Sequence, residues 1–347
     1  MSKLGYTSME TQNRVNRREF LKISGGVGSI IGAGLILGTP PVWTLDDNTP
    51  ERIKTNINKA LSVPRIKTSL PGPFPGRVVE THDPMAMADN KVSQSVVDEM
   101  FEKGITKLTG KNLKKSFSLL FDKSDIVGIK VNPVGPGLIS TRLEVVNSVI
   151  AWLIKEGLKR ENIIIWDRFD YMLKDAGFTP ERYPGIGIEG LQTMDEDAAS
   201  GKKKDDSAWL NKNGKHVSES NFDMDNYYWA DVEGPKDKAY LNQHVFNGKY
   251  SYFGKLLTKK LTKIINTPVF KNTGSGISMA TKNIGYGSIC NTNRLHKPLF
   301  FDVNTEVHAF PVIRDKLVLN ITDGLRAQYD GGPIAVSKFT YLYNRLF

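Results

Sequence analysis

Two short apolar runs on either side of an amphipathic segment constrain this chain more than any other feature. DIVGIKVNP (125–133) and NIIIWDR (162–168) are apolar almost from end to end. Alternation would mark a strand with one wet face, whereas continuity marks a strand buried on both faces, as in parallel sheets. Between the runs, Leu143, Val146, Ile150 and Leu153 recur on one helical face up to Gly157, and Thr141-Arg142-Leu143-Glu144 has capping-box spacing. Strand, helix and strand in this order make a βαβ unit. KIINTPVFK (263–271) and KLVLNITDG (316–324) have the same character and are expected to be two more strands. The fold class is therefore α/β, a mostly parallel open sheet flanked by helices. Upstream, 77–83 has strand composition and stops at Asp83-Pro84, while 92–109 and 111–121 have helical spacing.

The regions outside this pattern differ in composition. Residues 39–76 are proline-rich and aperiodic, which predicts an extended arm. Residues 189–262 form a polar, aromatic insertion in which NYYWADVEGPKDKAYLNQHVFNGKYSYFG holds eight aromatic residues among 29. That density is foreign to disordered chain, so a folded cover on one face of the sheet is expected. The last run, SKFTYLYNRLF, is apolar and uncapped, which suggests a fragment of a longer protein.

At the start, Arg17-Arg18 followed by Glu19-Phe20-Leu21-Lys22 precedes ISGGVGSIIGAGLIL (23–37), a run of 15 residues with five glycines. It is too short to span a bilayer comfortably, and basic, apolar and polar segments follow one another as in a signal. The segment 1–38 resembles a twin-arginine export signal, which implies the twin-arginine (Tat) export machinery as a partner and an exported, periplasmic location. With no clear small-residue cleavage site near Gly38, the signal is a candidate anchor. The chain carries 47 basic and 37 acidic residues, a net charge of +10. This balance suits an anionic small molecule, and no nucleic-acid-binding motif accompanies it. Cys290 is the one cysteine, so an iron–sulfur cluster held by this chain's cysteines is excluded.

Ligands of open parallel sheets sit beyond the carboxyl ends of the strands. The four apolar runs end in Lys130 and Asn132, in Asp167 and Arg168, in Lys271, and in Asp323. Asp167 and Asp323 are candidate ligands of a divalent metal, or proton carriers. The glycine-rich stretch 271–298 adds Lys282, Asn283, Arg294 and His296. It has neither Walker spacing nor a dinucleotide fingerprint. Lys130, Asn132, Arg168, Lys271, Lys282, Asn283 and Arg294 are candidate anion-binding residues, and Asp167, Asp323 and His296 are candidate catalytic groups. His308 lies among apolar residues and Cys290 has no assignable base, so both are expected to be structural. His82 and Asp330 are lesser candidates.

GRVVETHDP, DIVGIKVNP, ENIIIWDR, INTPVFKNTGSGISMATKN, NRLH, KLVLNITDGL and GGP, in this order, resemble the blocks of domain-of-unknown-function family 362 across residues 77–347. The resemblance implies a subgroup with twin-arginine signals. Its blocks fall on Lys130, Asn132, Asp167, Lys271, Lys282, Asn283, His296 and Asp323. Some members are fused to iron–sulfur modules, which implies redox surroundings and a redox partner protein; this chain lacks those cysteines. Members usually continue past the GGP block into an Asp-Pro segment and a further helix.

Three functions are compatible with these features. An exported enzyme acting on a small anionic substrate at the strand rim, with or without a divalent metal, is the leading expectation. A non-catalytic accessory module of an exported redox or polymer-processing system is the second, with the aromatic insertion as its partner surface. A nicotinamide or flavin oxidoreductase is the third, and the missing fingerprint weighs against it.

Overall fold

The structure, a computed structural model, describes residues 53–192, 221–232, 250–274, 276–296 and 299–347. The signal segment, the arm up to residue 52, the remainder of the insertion (193–220 and 233–249) and Lys297 lie outside the described residues.

In chain order, the helix α1 (Ile57–Leu61) precedes β1 (Thr81–His82), β2 (Met87–Ala88) and β3 (Lys91–Val92). Next come α2 (Gln94–Thr109), α3 (Leu113–Leu120), β4 (Val127–Val131), α4 (Leu143–Lys155), β5 (Ile163–Phe169), α5 (Asp170–Asp175) and β6 (Gly187–Gln192). The insertion contributes β7 (Phe222–Trp229) and β8 (Tyr250–Gly254). The remainder is β9 (Lys263–Thr267), β10 (Val269–Thr273), β11 (Gly276–Ser278), α6 (Ala280–Gly285), α7 (Phe300–Ala309), α8 (Pro311–Arg314), β12 (Leu317–Asn320), β13 (Asp323–Gln328) and β14 (Thr340–Leu346).

The main sheet is parallel throughout, in the order β12-β9-β4-β5-β6. Both of its faces are buried, as the continuous apolar runs require. Val127, Ile129, Val131, Ile163 and Ile165 pack with α2, α3 and α4, while Ile164, Trp166 and Ile264 face the other layer. That second layer holds α6, α7, α8 and the β7–β8 pair, whose Phe222, Tyr228 and Phe253 are fully buried. The insertion thus covers a sheet face. Each of these aromatic side chains contributes about 1.5–3 kcal/mol by leaving water.

The third and fourth apolar runs are not single strands. Each begins in the main sheet and ends in a second, mixed sheet ordered β1-β14-β13-β10-β11. Pro268 separates β9 from β10; it has no N–H to give to a ladder, and its carbonyl instead accepts from Asp323 N at 2.8 Å. Ile321-Thr322 make the matching step between β12 and β13.

Other expectations need correction too. The strand at 77–83 shrinks to Thr81–His82, because Arg77 N closes a turn onto Phe74 O at 3.2 Å. No capping box forms at α4. Thr141 Oγ1 donates to Thr267 O at 2.7 Å, and the helix is capped from outside by Asp323 Oδ2, which accepts from Arg142 N at 2.7 Å. Within the glycine-rich stretch, Gly276–Ser278 pairs with β10, and the helix begins only at Ala280.

The described part of the arm is pinned by buried Arg314, which donates to Val63 O at 3.0 Å and Pro64 O at 2.9 Å. Residues 340–346 do not hang free: β14 pairs with β1 on one side and β13 on the other. Among the described residues, no helix is long and apolar enough to cross a membrane.

Candidate functional site

Numbered by appearance, the five parallel strands run in the doubly wound order 3-2-1-4-5, so the chain reverses direction between β4 and β9. The crevice beyond the carboxyl ends of these two strands is where such sheets hold ligands. Lys130 of β4 stands there with its side chain in the second layer, 5.4 Å from the centroid of Trp166. Glycine at 287 permits this approach, since a Cβ there would lie 2.5 Å from Lys130 Cε and 2.3 Å from Asn283 O.

The Lys130 ammonium donates to Asp167 Oδ1, to Val131 O at 2.7 Å and to Asn283 Oδ1 at 3.1 Å. Asn283, delivered by α6, donates to Asn266 Oδ1 at 2.7 Å, and Asn266 donates to Asn320 Oδ1 at 2.8 Å. A ladder of polar side chains therefore crosses the ends of β5, β4, β9 and β12. Lys271 starts in the second sheet and reaches back, donating to Asn132 Oδ1 at 3.0 Å and Val134 O at 3.2 Å.

Burial lowers the pKa of Lys130, with the Asp167 carboxylate opposing the shift. Burial also lowers Lys271, helped by the neighbouring cations Lys282 and Lys130 and opposed by Asp167, to about 7.

A second group lies close by. The Lys282 ammonium has neither a hydrogen bond nor an ion pair among the described contacts and sits 5.6 Å from the Phe300 ring centroid. His296 Nδ1 lies 3.0 Å from Thr292 O, so that nitrogen carries the proton and Nε2 presents a lone pair. Burial lowers its pKa, and Lys282 and Arg168 push it further down, so the imidazole is neutral at pH 7. The ring packs 4.3 Å from Tyr286. Arg168 donates to Thr292 Oγ1, which fastens the end of β5 to the loop bearing His296.

Two expected site residues lie elsewhere. Both carboxylate oxygens of Asp323 accept backbone N–H groups, from Arg142 at 2.7 Å and Leu325 at 3.0 Å, and burial raises its pKa. Its oxygens are thus engaged by backbone, while Asp167 is engaged by Lys130. Among the described residues, no three His, Cys, Asp or Glu side chains form a metal-holding group. Arg294 is buried and donates to Ala230 O at 3.0 Å, binding the insertion to the loop. Asn132 belongs to the ladder, donating to Asn283 Oδ1 at 3.3 Å, and ties Lys271 to it.

His308 is structural: Nδ1 bonds Asn304 O at 2.6 Å, and burial pushes its pKa down to about 4. Burial pushes the Cys290 thiol up to about 12, far from nucleophilic use. His82 is exposed on β1, and Asp330 is exposed with a carboxylate oxygen that accepts from Gly331 N at 2.8 Å. Asn266, Asn320 and Thr292 were not singled out from sequence. The signal for the first two was an asparagine near the end of an otherwise apolar run.

No protein-family model matches the chain, and no curated protein matches it in sequence.

Proposed function

We propose that this chain is an exported protein that binds a small anion at the switch point between β4 and β9 and acts on it as an enzyme. One observation carries the reading: Lys130 and Lys271 share the Asp167 carboxylate in a largely buried network, and Lys282 stands beside Lys271 without a carboxylate partner among the described contacts. Uncompensated cationic charge in low dielectric is costly, and an anionic ligand removes that cost. Lys282 is the free cation for the ligand, Arg168 adds positive field, and neutral His296 offers Nε2 as acid–base group. The twin-arginine-like start and the resemblance to domain-of-unknown-function family 362 support export and fit this proposal.

In a dinucleotide-binding sheet the pyrophosphate sits at the helix that follows the first strand. Here that helix is α4, and Asp323 occupies its first amide. This contact counts against the oxidoreductase reading. The burial of Phe222, Tyr228 and Phe253 takes these three described aromatic side chains of the insertion out of the surface that the accessory-module reading would use.

The test is thermal unfolding of the full chain with phosphate, sulfate, oxalate or citrate. A ligand at a hundred times its Kd adds about 2.7 kcal/mol of stability. Lys282→Gln is expected to weaken binding at least tenfold while the chain stays folded. If none of the four anions stabilises the protein, or Lys282→Gln binds as tightly as the parent, the reading fails.

A further inference from the structure

Beside β12, the edge strand of the main sheet, a cleft of about 550 Å³ opens and meets the polar ladder only at its far end, Asn320. Leu319 and Ile321 form its sheet wall, Phe101 and Ile105 of α2 the opposite wall, and Leu70 and Phe74 of the arm its cover. The cover is built from LPGPFPG (70–76), five of whose seven residues are proline or glycine, so the sheet edge is bridged by irregular chain and not by a helix. Surfaces of this apolar character, open to solvent and rimmed by polar residues, mark ligand sites.

The lining contains no Asp or Glu, and its two charged residues, Lys67 and Arg77, are exposed cations. Arg77 uses one donor on Leu108 O at 2.8 Å, and a guanidinium has five. Apolar walls with cations alone at the opening complement one kind of molecule. We infer that this cleft binds a single-chain amphiphile with an anionic head, its hydrocarbon tail against Leu319, Ile321 and Phe101 and its head at Lys67 and Arg77. None of the lysines, Asp167 or His296 of the strand rim lines this cleft.

Gly104 of α2 provides the decisive variant. It lines the cleft, and the nearest atom to a Cβ built there is Thr81 Cγ2 at 3.8 Å, so a larger side chain enters the cleft without meeting backbone. Leucine also favours helix over glycine.

The experiment titrates full-length protein with dodecanoate, below its micelle threshold, by calorimetry. One dodecanoate per chain is expected, with dodecyltrimethylammonium at least tenfold weaker. Gly104→Leu is expected to abolish dodecanoate binding with the far-ultraviolet circular dichroism unchanged. Lys67→Glu, an exposed change that keeps the fold, is expected to weaken it at least fivefold. Equal affinity for the two head groups overturns the proposal, as does unchanged dodecanoate binding in folded Gly104→Leu or in Lys67→Glu.

Discussion

Lys130 and Asp167 are the residues whose chemistry is most altered by where they stand. In water such a pair is worth well under 1 kcal/mol. Here Lys130 is 1 % exposed and Asp167 6 %, so neither partner can lose the other cheaply. Lys130→Met leaves the Asp167 carboxylate buried without its cation, and chemical denaturation is expected to show a loss of about 3–5 kcal/mol. Lys130→Met combined with Asp167→Leu removes both charges and is expected to recover most of that loss.

Lys271 gives a pH signature. Its folded pKa of about 7 lies below that of an unfolded lysine, so between these values the unfolded chain binds the extra proton. Stability therefore rises with pH above about 7, with a limiting slope of about 1.4 kcal/mol per unit, until the unfolded lysine titrates near about 10.4. Lys271→Met is expected to reduce the rise in stability measured by denaturation across pH 7–10 by the share of Lys271, leaving that of Lys130 and Lys282. The identity of these residues was legible in the sequence because each is a polar residue at the end of an apolar run. Their partners were not, since hydrogen bonds between Asn283 and Asn266 or between Lys271 and Asn132 depend on which strands become neighbours.

Among the elements, α2, α3, α4, β4 and β5 follow from periodicity and continuity. Their boundaries are set locally, by Gly110 and Gly157 in left-handed backbone just past α2 and α4. The β9–β10 and β12–β13 runs are different. Each has the composition of one strand, and the step into a second sheet comes from pairing, which no local pattern specifies. Pro268 marks one step in the sequence; nothing comparable marks the other. The start of α4 shows the same division. A capping box was predicted, yet Thr141 serves the crossing to Thr267, and Asp323, 181 residues away, supplies the cap. Asp323→Ala is expected to cost about 1–3 kcal/mol, measured by urea denaturation, through lost cap bonds. Anion affinity at the strand rim is expected to stay unchanged, which separates a cap from a ligand-binding role.

At the scale of the molecule, the described arm is tied at both ends, by Asn56 to Tyr227 O and Trp229 O and by Thr68 and Ser69 to Asp315, with Arg314 holding the stretch between. Arg314 holds it through two carbonyls and is itself paired with Asp315 at 2.8 Å. Arg314→Ala is expected to destabilise by about 3 kcal/mol and to speed proteolysis within 62–68 before the sheet is cut.

The sequence alone determined the α/β class and the parallel character of the central strands, because burial on both faces demands continuous apolar runs. It also determined which polar residues close those runs. The tertiary structure decided the strand order, the use of Asp323 as a cap, and the engagement of Asp167 by Lys130. It also decided the gathering of Lys130 and Lys271 about the Asp167 carboxylate, with Lys282 beside Lys271, because these depend on long-range pairing that leaves no periodic trace in the chain.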